Sequence, residues 1–435
     1  MRRLVIFFSA IFAVSLAYSL YFHVQPSVDA RAYDRIGWNL AQGLGYRESL
    51  DVPLAQDNAI LRVGPGYEFF LAGTYTIFGH NYATVWVLHA LLLAASALLT
   101  YLLARRLFAF LPSVNTVALV AAGLVGFSPD LITINGLLMA ETLGVFLGVL
   151  TVWLFFVYNG RQNWQLAALI GFSLAAATMV RTPLSFLFFP LIFFFLYRRR
   201  WLHMAVCITA LTLLFAPWVM RNYNVYNAFV PTNLAYGIDL AAGNHSGASG
   251  ELEPYARNAR YLEQYGIVEG NRMLTKETLR FIAIHPLQFL QITLKRISIY
   301  FSFARPSAFW FHLSGMSRAL TVLFSGFYSV ILFTFGFLGI YAARKAPDRT
   351  RTYSRMLFSF LLMMPLAVTG IIVETRYRFL SYPMFAIFAA YGFYWLKENK
   401  YRWTVLLSAF GVLVLNSSFD LWKNIERAIQ RVQSL

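Results

Sequence analysis

Runs of apolar residues, each broken by a few polar or charged positions, recur along almost the whole chain and set its organisation. We read spans near Leu4–Phe22, Tyr82–Leu103, Val114–Phe127, Met139–Val157, Trp164–Val180, Leu184–Tyr197, Trp201–Val219, Ala319–Tyr341, Met356–Ile372, Tyr382–Leu396 and Trp403–Leu415. Several reach the roughly 18 to 20 residues a helix needs to cross a hydrocarbon core. That predicts an all-α integral membrane protein with about eleven transmembrane helices. The third run is short and is interrupted by Ser128-Pro129. The first, behind Arg2-Arg3, is too long for a typical signal-peptide apolar region and has no convincing small-residue cleavage site after it, so an uncleaved first span is expected.

Two polar stretches interrupt the greasy pattern. The first loop, about 23–82, predicts a helix from Asp29 to Gln42 stopped by Gly43-Leu44-Gly45, glycine being common past a helix C-terminus. A second apolar helix follows Pro65-Gly66, from Tyr67 to Phe78. Both are too short to span and suit the interface, where tyrosine and tryptophan are favoured. The long segment, about 220–318, reads as loop from Asn222 to Gly250, where Asn, Gly and Pro abound. Helices are then expected over Tyr255–Tyr265 and Asn271–Ile284, with another from Pro286 towards Phe301 carrying Lys295-Arg296 on its polar face. A tail, about 416–435, ends the sequence. No repeat or low-complexity linker divides it, so 1–435 is expected to be one membrane domain.

Composition agrees. Of 435 residues, 59% are hydrophobic and only 13% charged, about half the charged share of a soluble globular chain. The net charge of +17 does not point to nucleic acid, because the basic residues flank apolar runs. On the side of the N-terminus, short loops and the first residues hold 16 basic residues and two acids, Asp348 and Glu398. Under the positive-inside rule that side is cytoplasmic. The long loops and the C-terminal tail are then outside. The one cysteine, Cys207, permits no internal disulfide.

This topology brings six polar stretches to one membrane surface, carrying Asp29, Asp34, Arg62, Glu141, Arg181, Arg221, Asn222, Asn244, Glu374, Arg376 and Arg378. Ionisable groups at membrane depth are costly and mark functional sites. Several arginines beside few carboxylates suggest an anion, and a guanidinium fork fits phosphate oxygens. The most economical anion for a lipid-embedded protein is a lipid phosphate. Structural roles compete with each assignment. Asp29 can cap the helix that follows it, Glu141 and Arg181 can neutralise one another, and Arg376 and Arg378 can snorkel to headgroups. The seven histidines show no metal-ligand spacing, and there is no glycine-rich nucleotide loop or nucleophile elbow. No metal and no cofactor is expected.

The motifs resemble those of the polyprenyl-phosphate-sugar-dependent glycosyltransferases of GT-C fold, in particular the dolichyl-phosphate-mannose–protein mannosyltransferase and aminoarabinose lipid A transferase group. The resemblance covers nearly the full chain. It rests on Asp29-x3-Tyr33 with Ala41-x-Gly43, Arg62-x-Gly64-Pro65-Gly66-Tyr67, Met139-Ala140-Glu141-Thr142-Leu143 and Arg181-Thr182-Pro183. Pro217-Trp218-x2-Arg221-Asn222 with Gly243-Asn244, His285-Pro286 and Glu374-Thr375-Arg376-Tyr377-Arg378 complete it. It implies a GT-C-type bundle with amphipathic interfacial helices in its outer loops. It also implies a sugar donor linked to polyprenyl phosphate, with Asp29 as base. Arg62, Arg221, Arg376 and Arg378 would hold the lipid phosphate, and Glu141 matches a second acidic position. Tyr33, Tyr67, Arg181, Asn222, Asn244 and Glu374 are further candidates for the substrate site.

Transfer to an acceptor hydroxyl, with inversion at the sugar, is expected at the outer face of a bacterial inner membrane. Two departures matter: Glu68 stands where relatives often have proline, and no large soluble segment follows the last span in this sequence. The acceptor, whether protein, lipid or polysaccharide, is therefore not carried over. The competing class is a transporter or flippase of a lipid-linked glycan. Such proteins place binding groups near the bilayer midplane, often in paired repeats, whereas the acids here sit at span ends.

Overall fold

A computed structural model describes residues 2–62, 64–253, 255–305, 312–399, 402–423 and 425. The last part of the tail, 426–435, lies outside the described residues. The helices in order are α1 (Arg2–Phe22), α2 (Asp29–Ala41), α3 (Pro65–Phe78), α4 (Tyr82–Leu107), α5 (Val114–Gly126), α6 (Pro129–Asn135), α7 (Ala140–Arg161), α8 (Trp164–Val180) and α9 (Phe188–Tyr197). Then come α10 (Trp201–Tyr226), α11 (Tyr236–Gly243), α12 (Ala256–Ile284), α13 (Pro286–Phe301), α14 (Gly315–Ala343), α15 (Asp348–Thr369), α16 (Tyr382–Glu398) and α17 (Trp403–Lys423). Single 3-10 turns at Thr182–Leu187 and Thr375–Ser381 lead into α9 and α16.

All eleven apolar runs are helical, but they are not equal. Eight helices are long and apolar enough to cross a membrane among the described residues. The pair α5 and α6, bent by 47°, makes a ninth. The remaining two, Trp164–Val180 and Thr182–Tyr197, are shorter. The bend in the third span has a local cause. Pro129 cannot continue α5 because it lacks an N–H, and the Ser128 hydroxyl accepts from the Leu131 amide to restart the chain as α6. The protein is an integral membrane protein.

Small residues allow the tightest helix pair. A Cβ on Gly339 of α14 would overlap the Phe388 carbonyl of α16, and one on Gly392 the Phe335 carbonyl. This is the close approach by which helices associate where lipid offers no hydrophobic driving force. Across the same layer, Arg378 is fully buried. It donates to the Ser302 carbonyl (2.8 Å), the Ser329 hydroxyl (3.0 Å) and Tyr382 (3.0 Å), with the Asp130 carboxylate of α6 at 3.8 Å.

The loop segments cluster at one end of the bundle and depart from expectation in two places. Within 222–250, expected as loop, α10 continues to Tyr226 and α11 forms. The two helices expected between 255 and 284 both form, as the two arms of α12, which breaks at Gly266 with φ 76° and ψ 174°. Arg296 is not on a polar face: it is fully buried, donating to the carbonyls of Gly243, Gly250 and Thr369 and to Asn244 Oδ1. With only neutral partners, burial pulls its guanidinium down to about 10. It clamps α11 and α15 to α13.

Candidate functional site

A cavity of about 410 Å³ opens where the first loop, the start of α11 and the Thr375–Ser381 turn meet the ends of α8 and α15. Asp29, Tyr33, Arg62, Arg181 and Arg376 all line it, so five of the twelve residues expected at the site share one space.

Asp29 is the first residue of α2, not its cap. Val28 holds the cap position, at φ 49°, and no side chain caps the helix there. A β-branched residue at positive φ is an outlier, and strain of this kind gathers where surrounding structure fixes a functional group. Asp29 is instead turned to Arg376, whose two terminal nitrogens both donate to Oδ2 at 3.1 Å. Asp29 Oδ1 has no partner among the described residues. The Asp29 side chain remains 27% exposed and the Arg376 side chain 6%, so a buried fork aims a carboxylate into an accessible space.

Behind this pair lies a second rank. Glu141, at the start of α7, is fully buried, 2.9 Å from Arg181 and 3.6 Å from Arg376. Glu374 also takes a bond from Arg376 Nε. The mutual neutralisation of Glu141 and Arg181 is therefore present, and it is shared with Arg376. Tyr377 lies between the two guanidinium groups, its ring centre 5.3 Å from Arg181 Cζ and 5.8 Å from Arg376 Cζ. Arg62 donates Nε and Nη2 to Glu48 Oε2, at 3.0 and 2.6 Å.

Two glycines hold the first loop against α8. A Cβ at Gly64, where φ is 146°, would strike the Met179 carbonyl, and one at Gly66 the Val180 amide. Gly64-Pro65-Gly66 is thus a contact surface for the end of α8 as well as a turn. It seats Arg62 on the cavity that Arg181 also lines.

The other expected residues lie outside the cavity lining. Tyr67 is buried and contacts His89 Nε2 at 3.1 Å, its ring edge-on to Tyr33. Arg221 is caged by Tyr46, Trp218 and Tyr226, with ring centres 5.3–5.6 Å away, and donates to the Tyr46 carbonyl and Asn222. Asn222 donates to the Val230 carbonyl at 2.9 Å. Asn244 binds Arg296 and the Leu240 and Ile371 carbonyls. Arg378 belongs to the buried network around Asp130. These residues fasten the loops that shape the site.

Two features were not anticipated. Carboxylates are not few here: Asp29, Glu48, Glu141 and Glu374 pair with the three arginines. A fifth, Asp239, lines the cavity from α11. Burial pushes the Asp239 carboxyl up to about 7, with Glu374 adding to the rise and Arg376 and Arg181 opposing it. The one available signal was that Asp239 is the only acid between 222 and 250. Among the described residues no group of three or more His, Cys, Asp or Glu could hold a metal ion.

Beside the cavity runs an apolar groove of about 380 Å³, walled by residues such as Leu174, Phe188, Leu211 and Phe215. It shares Ser185 and Phe186 with the cavity.

The architecture is that of the GT-C membrane glycosyltransferases. ArnT from Cupriavidus metallidurans bound to undecaprenyl phosphate aligns with a TM-score of 0.52 at 14% identity, covering 89% of this chain and 59% of that one. The oligosaccharyltransferase AglB from Archaeoglobus fulgidus, in complex with an inhibitory peptide and a dolichol-phosphate, gives 0.50 at 13%, covering 97% and 55%. The Archaeoglobus fulgidus oligosaccharyltransferase complex with Zn and sulfate gives 0.51 at 13%, covering 94% and 52%.

The chain spans a little over half the length of these structures. More particularly, the family described as dolichyl-phosphate-mannose-protein mannosyltransferase matches residues 62–220, from the cavity arginine Arg62 to the residue before Arg221. No curated protein sequence matches the chain.

Proposed function

We propose that this protein is a glycosyltransferase that moves a sugar from a polyprenyl-phosphate carrier to an acceptor hydroxyl. The reaction takes place at the outer face of the membrane and inverts the anomeric carbon. The observation that carries this reading is the accessible Asp29 carboxylate, held by the buried Arg376 fork in a cavity that shares Ser185 and Phe186 with an apolar groove. A donor that is polar at one end and a long hydrocarbon at the other needs that pairing of spaces.

The chemistry follows from the groups present. An acceptor hydroxyl attacks the anomeric carbon and loses its proton to Asp29, placed as general base. The bond from that carbon to the phosphate oxygen breaks, and its electron pair leaves with the lipid phosphate. The growing charge is met by Arg62 and Arg181, which retain N–H donors not engaged by Glu48 and Glu141. Preorganised donors of this kind are a large part of transition-state stabilisation. The prenyl tail runs into the groove shared through Ser185 and Phe186. The neighbours bound to undecaprenyl phosphate and to a dolichol-phosphate support a carrier of this class, and the basic short loops support a cytoplasmic N-terminus.

The test is incubation of the purified protein with radiolabelled polyprenyl-phosphate sugars and membranes of the source cell as acceptor pool. Label leaving the carrier for an acceptor supports the reading. Label that crosses proteoliposomes still attached to its carrier replaces it with a flippase.

A further inference from the structure

Resting on the transferase reading, we propose that Asp239 is a second catalytic carboxyl of the cavity, receiving from Asp29 the proton that the acceptor gives up. The geometry sets the two acids apart. Asp29 is engaged by both terminal nitrogens of Arg376. The carboxyl of Asp239, which lines the same cavity from α11, has no hydrogen-bond or ion-pair partner among the described residues. Unpartnered carboxyls in confined spaces are expensive, and nothing in the packing of α11 calls for one. The helix is held by other groups: the Gly237 amide bonds Asn271, and Asn258 bonds the Ile238 carbonyl.

The proton balance gives Asp239 its task. When the acceptor O–H breaks, the proton arrives on Asp29 and weakens its ion pair with Arg376, which favours a charged partner. Restoring that pair requires the proton to move on. Asp239 is the nearby acid suited to take it, because burial and Glu374 favour its protonated form, with its carboxyl at about 7. Release to water from Asp239 then resets the site. The charged and titratable groups acting on Asp239 are Asp29 on α2, Arg181 at the end of α8, and Glu374, Arg376 and Tyr377 around the 3-10 turn. The relay therefore needs Asp239 ionised at the start, and turnover falls on the acid side of neutrality.

The experiment is the pH dependence of initial transfer rates by the purified full-length protein, with the radiolabelled polyprenyl-phosphate sugar that the wild type uses. Asp239→Asn is expected to lower kcat about 10²-fold and to flatten the acid limb. The KM for the donor should stay close to wild type. Asp239→Glu, which restores a titrating group, should recover part of kcat and show an acid limb again. Elution as a single species in size-exclusion chromatography checks folding. If Asp239→Asn misfolds, Asp239→Glu carries the test alone, through a displaced acid limb. An Asp239→Asn protein with wild-type kcat and an unchanged acid limb overturns the inference, as does a loss confined to the donor KM. A wild type that transfers nothing from any lipid-phosphate sugar defeats the transferase reading itself, a distinguishable failure.

Discussion

Replacing Arg376 by alanine removes the group that ties three carboxylates together, and the structure indicates what that costs. The Arg376 side chain is 6% exposed and Glu141 is 1% exposed, whereas Asp29 and Glu374 are 27% and 26% exposed. Breaking a buried ion pair by deleting one partner costs about 3–5 kcal/mol. Here Glu141 keeps Arg181 at 2.9 Å, and the other two acids gain water, where pairs contribute little. The expected loss of stability is therefore reduced to about 2–3 kcal/mol.

The catalytic loss should exceed what misfolding explains, because Asp29 is no longer aimed. A fall in kcat of about 10²–10³ is expected, the scale for removing a preorganised polar contact. Thermal unfolding in detergent and initial-rate transfer on the folded fraction measure the two effects separately. Adding Glu141→Gln leaves the buried Arg181 without its carboxylate, so the double variant should be less stable than either single variant, by an amount that differs from the sum of the two losses, and should regain no rate. Non-additivity of this kind is expected of residues in contact. An Arg376→Ala protein within about 0.5 kcal/mol and with undiminished kcat would refute the clamp.

Other perturbations separate scaffold from site. Arg221→Ala should lose about 2–4 kcal/mol of stability, from three cation–π contacts and the bond to the Tyr46 carbonyl, while the folded fraction turns over as the wild type does. Thermal melts alongside kcat test this. Glu68, in α3 outside the spanning helices, is fully buried, and burial pushes its carboxyl from 4.5 to about 8 against the pull of Tyr46 and Arg62. Its folded-state value lies above the unfolded one, so the folded protein holds the proton more tightly. Stability should fall as pH rises from about 4.5 to about 8 and level off above. Glu68→Gln should remove that slope, making the variant increasingly the more stable protein as pH approaches 8 in paired melting curves.

Much of this arrangement was legible from residue order. The apolar runs appeared as helices, and Asp29, Tyr33, Arg62, Arg181 and Arg376 meet in one cavity. What the pattern did not separate is membrane level from cavity membership. Arg221 and Arg378 sit near the same end of the bundle as Arg376, yet Arg378 is taken up by Asp130, far from it in sequence, with the Ser302 carbonyl and two hydroxyls. Aromatic faces and a backbone carbonyl absorb Arg221 without leaving a charge signature in the sequence. Arg296 hid for the same reason, since a buried arginine can be satisfied by carbonyls alone. Asp239 escaped because α11 has eight residues, too few for an apolar period to emerge from a stretch rich in Asn and Gly. Span counting was limited by geometry too. Pro129 bends the third span, and α8 and α9 fall short of a full crossing length.

The most direct measurement is sugar transfer by Asp29→Asn. Asparagine keeps the shape of the side chain and a carbonyl oxygen for Arg376, but it takes up no proton at neutral pH. With purified protein and a radiolabelled polyprenyl-phosphate sugar, the variant is expected to fold, to bind the donor and to move no label to the acceptor. Turnover by Asp29→Asn close to wild type would contradict it.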